Sequence, residues 1–168
     1  MALIVGENAY CNVEEANTLI ADNCISTSKE VEMWSKLNNK DKEILIISAT
    51  QKYDNSTLNY KGIKFDKSQS LEFPRLLNGV KIECPDEVAL GYIILGLYDY
   101  SQSSSQFNEL MDSGVKSFAD GSGARVEFDT ESLNKNKYSV GINKIISTYF
   151  DKYRVIGLGW KTWQLIII

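Results

Sequence analysis

The chain has 168 residues, a formal net charge of −4 and a pI near 5.0, with 43 % hydrophobic and 24 % charged residues. These values are ordinary for one globular domain, and they argue against a protein that binds nucleic acid mainly through a concentrated basic surface. The three cysteines, Cys11, Cys24 and Cys84, form no Cys-x-x-Cys pair. They favour reduced, buried thiols over a disulfide or zinc framework.

The sequence shows no segment typical of membrane insertion or export. The longest apolar run, Val88 to Tyr98, is shorter than the roughly 18 residues that a membrane helix needs. Residues 1–5 lack the basic start of a signal peptide, so we expect no secretion. The pattern therefore predicts a soluble protein without a membrane partner.

Two helices are predicted in the first third of the chain. Asn12 precedes Glu15 by three residues, which is the spacing of a capping box, so a first helix is expected at about 13–22. A second helix is expected to begin after the Asn38-Asn39 pair and to continue to Tyr53, because acidic residues in its first turn precede apolar residues with a helical period.

The middle of the chain is predicted to contain a long loop and then a buried helix. Glycine and proline interrupt residues 55–84, which favours loop throughout. Pro85 suits the first position of a helix, and nearly every residue from Val88 to Tyr98 is apolar. We expect this helix to be central, to let a neighbour's backbone approach at Gly91 and Gly96, and to end in the polar stretch 101–105.

A β-hairpin and a last helix are predicted in the final third. Two short alternating runs flank the turn residues 120–123 and predict a hairpin at about 115–128. Apolar residues at steps of three and four then predict a helix at about 139–153.

Residues 157–168 form an unusually apolar end to the sequence, with two glycines before Trp160 and three isoleucines after Leu165. Side chains of this kind are normally covered. The segment is predicted either to complete the protein's own sheet as a last strand or to act as an extended arm that docks on another subunit.

Residues suited to catalysis are scarce. The chain has no histidine, the commonest general base and metal ligand, and no nucleotide-binding or nucleophile-elbow motif. Carboxylate pairs such as Glu14-Glu15 lie at predicted helix starts, where the helix dipole accounts for them. We therefore expect neither an enzyme nor a bound cofactor or metal.

Several short motifs follow one another along the chain. They are Asn8-Ala-Tyr10, Trp34, Ala49-Thr50, Tyr53-Asp54, Tyr60-Lys-Gly62, Leu71-Glu-Phe-Pro-Arg75 and Cys84-Pro-Asp-Glu87. Their order and spacing resemble those of a known family, the head-tail adaptor (connector) proteins of tailed bacteriophages, a group also labelled DnaT-like single-stranded-DNA-binding proteins. The resemblance covers roughly residues 1 to 153, and its most specific part is the aromatic-Lys-Gly element followed by Leu-x-Phe-Pro-Arg.

The resemblance implies a structural protein of the phage virion neck, made in the bacterial host cytoplasm. Such a protein assembles as a dodecameric ring beneath the portal protein, binds a tail-side connector or terminator protein, and lets double-stranded DNA pass without sequence-specific binding. The alternative function is single-stranded-DNA binding, for which nine tyrosines and three tryptophans are available for stacking but no basic groove is evident.

The predicted fold is mainly α, a small bundle of about four helices with an inserted β-hairpin and an extended C-terminal arm. Residues 1–156 would form the adaptor domain and residues 157–168 the arm. The predicted contact residues fall in three groups: the arm (Trp160, Trp163, Leu165, Ile166, Ile167 and Ile168), the hairpin (Lys116, Phe118, Arg125 and Phe128) and a loop anchor (Phe73, Pro74 and Arg75).

Two of these groups leave alternatives open. The hairpin is either a solvated flap or a contact with a neighbouring subunit or the portal. In the loop anchor, Phe73 is expected to enter the helical core, while Arg75 pairs either with its own loop and helices or with a carboxylate of another subunit.

Overall fold

The computed structural model describes residues 2–54, 58–103, 117–119, 125–127 and 140–155, and the two three-residue segments are described by their backbone pairing. These residues confirm the predicted class, since they are mostly helical with a small sheet and an inserted hairpin. The helices are α1 Val13–Asn23, α2 Lys29–Lys36, α3 Asn39–Tyr53, α4 Asp86–Ser103 and α5 Val140–Tyr149. The strands are β1 Ile63–Lys64, β2 Arg75–Leu77, β3 Val80–Ile82, β4 Ser117–Ala119 and β5 Arg125–Glu127.

The predicted capping box of α1 is confirmed. The backbone N–H of Glu15 donates to the Asn12 side chain at 2.9 Å, and the backbone N–H of Asn12 donates to the Glu15 carboxylate at 2.8 Å. Both donors would otherwise lack an intrahelical partner, so the box fixes where the helix begins.

Helix α2 was not predicted from the sequence. Ser28 caps it by accepting from the Val31 N–H, and Trp34 anchors it by donating from Nε1 to the Asn17 side chain at 2.8 Å. Eight residues give little room for a periodic apolar pattern, and tertiary burial of Trp34 stabilises the helix instead.

Helix α4 is the central buried helix, as predicted, and among the described residues it contacts α1, α2, α3 and α5. Pro85 lies one position earlier than predicted: its carbonyl accepts from the Ala89 N–H, so it precedes the helix as the N-cap. The helix ends at Ser103, within the polar stretch 101–105 where its end was predicted. At Gly91 an added Cβ would lie 2.6 Å from the Phe150 ring, so the close neighbour is a side chain of the segment after α5.

The prediction of loop throughout residues 55–84 was wrong, because this stretch contains a three-stranded antiparallel sheet in the order β1-β2-β3. The register pairs Ile63 with Leu76 and Leu76 with Lys81. Strands of two or three residues are too short to show an alternating pattern, which is why the sequence concealed them.

Two short segments next to the strands have positive φ angles that this sheet requires. Asn78 and Gly79 connect β2 to β3 with φ angles of 52° and 80°, the left-handed conformation that a two-residue hairpin turn requires. Gly62 has φ 78°, and a Cβ there would lie 2.3 Å from the backbone oxygen of Leu76. A larger residue at 62 would therefore push β1 away from β2.

The predicted inserted hairpin is confirmed in its backbone, since β4 and β5 pair antiparallel with Phe118 opposite Val126. The predicted last helix is confirmed as α5, although its regular part ends at Tyr149 and the following residues form turns. No helix in the described part of the chain is long and apolar enough to cross a membrane.

Candidate functional site

A buried carboxylate at the end of α3 organises the centre of the molecule. The Asp54 side chain is only 2 % exposed, and it accepts hydrogen bonds from the hydroxyls of Tyr10 at 2.6 Å and Tyr92 at 2.7 Å. Its second oxygen accepts from the backbone N–H of Glu72 at 2.9 Å. Three donors from three distant parts of the sequence therefore meet at one carboxylate, which we call the Asp54 hub.

The hub extends through hydroxyls and aromatic rings. The Tyr60 hydroxyl lies 2.8 Å from that of Tyr92, and the Tyr10 hydroxyl accepts from the backbone N–H of Phe73 at 3.2 Å. The rings of Tyr10 and Tyr92 stack at 5.3 Å, while Phe73 packs edge-on against Tyr60 at 4.9 Å. These contacts join the first loop, α3, α4 and the segment that leads into β2.

Burial decides how the groups of the hub titrate. It raises the pKa of the Asp54 carboxyl above its usual range, although the hydrogen bonds from Tyr10, Tyr92 and the Glu72 backbone act to lower it. Burial is also the main reason that the pKa values of Tyr10, Tyr60 and Tyr92 lie above the ordinary tyrosine value. Asp54, Tyr60 and Tyr92 are buried and Tyr10 is partly buried, and the hydrogen bonds among them connect distant parts of the fold.

Arg75 ties the three-stranded sheet to this hub. Its guanidinium is buried and donates five hydrogen bonds, all within its own chain. Three go to the backbone carbonyls of Tyr60, Lys61 and Gly62, at 3.1, 2.9 and 2.6 Å, and two go to the carbonyl and carboxylate of Glu72. Glu72 thus contacts the hub through its N–H and the sheet through Arg75.

The loop-anchor residues predicted from the sequence all lie at this junction. Phe73 is buried between the rings of Tyr10 and Tyr60, and the Phe73-Pro74 peptide bond is cis. Arg75 follows directly and begins β2.

The face of the sheet away from Arg75 carries exposed apolar side chains. Ile63 is 66 % exposed and Phe65 is 53 % exposed, and the register places Ile63 beside Leu76 and Lys81. The Lys81 amine lies 5.0 Å from the centre of the Phe65 ring. Val80, the first residue of β3, is also exposed, but it pairs with Leu77 and therefore lies on the same side of the sheet as Arg75. We call Ile63, Phe65, Leu76 and Lys81 the sheet face.

The other predicted contact residues are described only in part or not at all. Phe118 and Arg125 lie in the paired strands β4 and β5. Lys116 and Phe128 lie outside the described residues, as do all the arm residues, namely Trp160, Trp163, Leu165, Ile166, Ile167 and Ile168.

The sequence did not reveal the Asp54 hub or the sheet face. Tyr10, Asp54 and Tyr60 occur in the motifs noted above, but nothing in their spacing indicates that they meet. The Asn78-Gly79 pair between apolar residues was the one usable signal for the sheet. Among the described residues, no group of three His, Cys, Asp or Glu side chains is placed to hold a metal ion.

Comparison with known proteins gives one match. Residues 1–111 match the family model described as "Putative DnaT-like ssDNA binding protein". The matched range contains α1 to α4, the three-stranded sheet and every residue of the Asp54 hub. No curated protein and no solved structure matches the chain. Because the matched range is well over half of the sequence, the chain belongs to this family.

Proposed function

We propose that this protein is a structural phage component, a head-tail adaptor that forms a ring under the portal protein, joins the capsid to the tail and continues the DNA channel. The sheet face carries the proposal: apolar side chains stand exposed on a sheet that buried hydrogen bonds hold in place. The kind of assembly, a ring under the portal protein, is inferred from the resemblance of the sequence motifs.

The sheet face has the character of a protein-contact surface. Ile63 and Phe65 are each more than half exposed and lie on the same face of one small sheet. Grouped apolar exposure of this kind marks interaction sites, whereas isolated exposed side chains do not. The Asp54 hub and Arg75 order this surface before any partner binds, which reduces the entropy lost on association.

The charges around the sheet favour a protein partner over a phosphate backbone. Lys64 pairs with the Glu72 carboxylate at 3.2 Å, Lys81 pairs with Glu83 at 2.5 Å, and Lys61 donates to the carbonyl of Lys152 at 2.9 Å. A phosphate would have to compete with these partners. A net charge of −4 also suits a channel protein that must let DNA slide past.

Substituting the sheet face should weaken assembly without unfolding the protein. We expect Phe65→Asp and Ile63→Asp each to reduce binding to the phage's portal protein at least tenfold, because a desolvated carboxylate in an apolar contact is unfavourable. Binding is measured by analytical ultracentrifugation of the mixed proteins. Thermal melting of both variants should stay within a few degrees of the parent protein.

Ile25→Asp is the matched control, because Ile25 is an exposed isoleucine outside the sheet and should tolerate the same change. Electron microscopy of intact particles should find the protein as a ring at the portal vertex. A location elsewhere in the particle, or unchanged portal binding by both sheet variants, would overturn the proposal.

Single-stranded-DNA binding is the second candidate, and the family's description favours it. One local observation agrees: the Phe65 ring is exposed, and the Lys81 amine lies 5.0 Å from its centre. Proteins that bind single strands combine aromatic rings for base stacking with nearby cations.

The two candidates differ in their response to salt. Fluorescence anisotropy with a labelled single-stranded oligonucleotide should show no binding at micromolar protein and physiological salt if the adaptor proposal holds. Submicromolar binding that weakens steeply with salt would replace it with the second candidate. In that case Phe65→Ala should weaken the free energy of oligonucleotide binding by about 1–3 kcal/mol, the usual contribution of one stacked base. Lys81→Ala should reduce the slope of log affinity against log salt concentration by about one, as expected for the loss of one phosphate contact.

A further inference from the structure

Strand β3 forms an open edge of the three-stranded sheet. Leu77 and Val80 flank the two-residue turn Asn78-Gly79, and residues in this position of a hairpin exchange both of their backbone hydrogen bonds. The next pair along the strands, Leu76 and Lys81, is therefore one whose backbone groups point away from each other. For Lys81 that direction is outward, beyond the edge of the sheet.

A contact on the other side of β2 agrees with this orientation. The N–H of Phe65 donates to the carbonyl of Pro74 at 3.0 Å, so Pro74 and every second residue after it turn their backbone groups toward β1. Leu76 is one of these residues, which leaves Lys81 without a hydrogen-bond partner in β2. Within the described part of the chain, the backbone groups of Glu83 also form no hydrogen bond. An edge with free N–H and C=O groups can accept a further strand.

The backbone stays extended after the end of β3. Cys84 precedes Pro85, and a residue before proline is disfavoured in the helical region. The amine of Lys81 pairs with the carboxylate of Glu83 at 2.5 Å, as expected for residues two apart on one face of an extended chain. The usable edge therefore covers residues 80–84, and it ends at the proline because proline has no N–H to donate.

We propose that the free β3 edges of two copies of this chain pair with each other, antiparallel and centred on Ile82. The sequence of the edge is complementary to itself in this register. Lys81 of each copy would lie opposite Glu83 of the other, and Ile82 would lie opposite its counterpart. Val80, which is 59 % exposed, would lie opposite Cys84 of the second copy. A contact of this kind is isologous and gives a dimer with a two-fold axis.

The charges of the edge select a second copy in this one register. Charged side chains, lysine above all, normally protect an edge strand from pairing. Lys81 and Glu83, however, have opposite signs, and both side chains are exposed on the same face of the strand. A shift of the register by two residues in either direction would place Lys81 or Glu83 opposite its own counterpart, and like charges directly opposite each other are unfavourable.

The proposed dimer leaves the sheet face free. In this register the opposed Lys81 and Glu83 form hydrogen-bonded pairs, so their outward backbone groups obtain partners. The two sheets join in their own plane, in the order β1-β2-β3-β3-β2-β1. Ile63 and Phe65 therefore remain exposed on the joined sheet. The proposal does not rest on the proposed function, because it concerns the free protein before any assembly.

Sedimentation equilibrium of the full-length protein tests for the dimer. One pair of short strands is a small interface, so we expect a weak dimer that forms as the concentration rises from micromolar to millimolar. The mass should rise from that of one chain, 18.9 kDa, to that of two. In NMR spectra at the high concentration, the Lys81 N–H should exchange with solvent at least tenfold more slowly than at the low one. The Lys64 N–H is the matched control, because it points outward from the opposite edge of the sheet and should not change.

Reversing the charges tests the register. Lys81→Glu and Glu83→Lys should each raise the dissociation constant of the dimer at least fivefold, because each places like charges opposite each other in both pairs. The double variant restores opposite charges and should return to within twofold of the parent protein. Lys36→Glu is the matched control, because it makes the same charge change and breaks an exposed ion pair, with Glu32, away from the sheet. It should leave the dissociation constant within twofold of the parent value.

Every outcome of these measurements supports or overturns the proposal. A chain that stays monomeric at millimolar concentration overturns it, as does association into larger species without a dimer. A dimer that both single variants leave intact, or that the double variant fails to recover, also overturns it. Protection of the Lys64 N–H in place of the Lys81 N–H would show that the other edge of the sheet forms the contact. Amides of α1 to α4 that keep their protection show that a variant is folded.

Discussion

Replacing Asp54 by alanine is expected to lower the free energy of unfolding by about 4 kcal/mol. The substitution removes the acceptor that the hydroxyls of Tyr10 and Tyr92 share with the N–H of Glu72, and of these three donors the Glu72 N–H keeps a second acceptor, the Tyr10 hydroxyl at 3.0 Å. Each buried donor that loses its partner costs about 1–3 kcal/mol. The result is measured by chemical denaturation at pH 7, with the slope of the transition checked for two-state behaviour.

Asp151→Ala is the matched control for this measurement. Asp151 also accepts a hydrogen bond, from Arg154 at 3.0 Å, but both side chains are partly exposed. Its loss should cost less than about 1 kcal/mol, as is usual for an exposed ion pair. If Asp54→Ala cost no more than Asp151→Ala, the hub would not be what holds the sheet segment to the helices.

Asp54→Asn removes the charge of the carboxylate but keeps a side chain of nearly the same shape. The amide keeps one acceptor oxygen for the two tyrosine hydroxyls but places an NH2 group opposite the Glu72 N–H. We expect this variant to lie between the parent protein and Asp54→Ala in stability. Unlike the parent protein, it has no carboxyl at this position to titrate.

The raised pKa of the Asp54 carboxyl gives the pH dependence a definite sign. A carboxyl whose pKa is higher in the folded than in the unfolded chain contributes stability below the unfolded value of about 3.9. That contribution is lost as the pH rises through the folded value. The free energy of unfolding of the parent protein, relative to Asp54→Asn, should therefore fall with rising pH over this window. A relative increase would show that the hydrogen bonds outweigh desolvation.

The sequence was sufficient for most of the helical body. Asn12 and Glu15 fixed the start of α1 because a capping box is a local interaction between residues three apart. The apolar run from Val88 to Tyr98 identified the buried helix because a helix that is apolar on every side has to be central. In both cases the information lies within a few turns of chain.

The sequence did not predict the sheet and the hub, because both depend on contacts between residues that are far apart along the chain. Asp54 bonds to a tyrosine 44 residues earlier and to another 38 residues later. No periodic pattern connects these positions. The turn at Asn78-Gly79 was the exception, since an Asn-Gly pair between apolar residues is a strong hairpin signal.

The second large effect is expected for Arg75→Ala. This change removes five donors and leaves the carbonyls of Tyr60, Lys61 and Gly62 without a partner that reaches all three. We expect a loss of about 3 kcal/mol, because bonds from a charged donor contribute about 1.5–3 kcal/mol each and water replaces some of them. Hydrogen exchange should show the loss first in residues 61–82, ahead of α1 to α4.

Arg75→Lys tests whether the shape of the guanidinium matters as well as its charge. A lysine amine keeps the charge, but it cannot extend a planar fork to carbonyls on one side and to Glu72 on the other. It should therefore recover less than half of the lost stability. Full recovery would mean that the charge near Glu72 is sufficient and that the bonds to residues 60–62 contribute little.

The same variants connect the buried contacts to the proposed function. Neither Arg75→Ala nor Arg75→Lys alters a residue of the sheet face, yet both loosen the strands that present Phe65 and Ile63. If a pre-ordered surface is what binds the portal protein, the affinity for that protein should be highest for the parent, lower for Arg75→Lys and lowest for Arg75→Ala. The protection of β1 and β2 from hydrogen exchange should decrease in the same order. Affinity that stays constant while protection falls would show that partner binding does not depend on a pre-ordered sheet face.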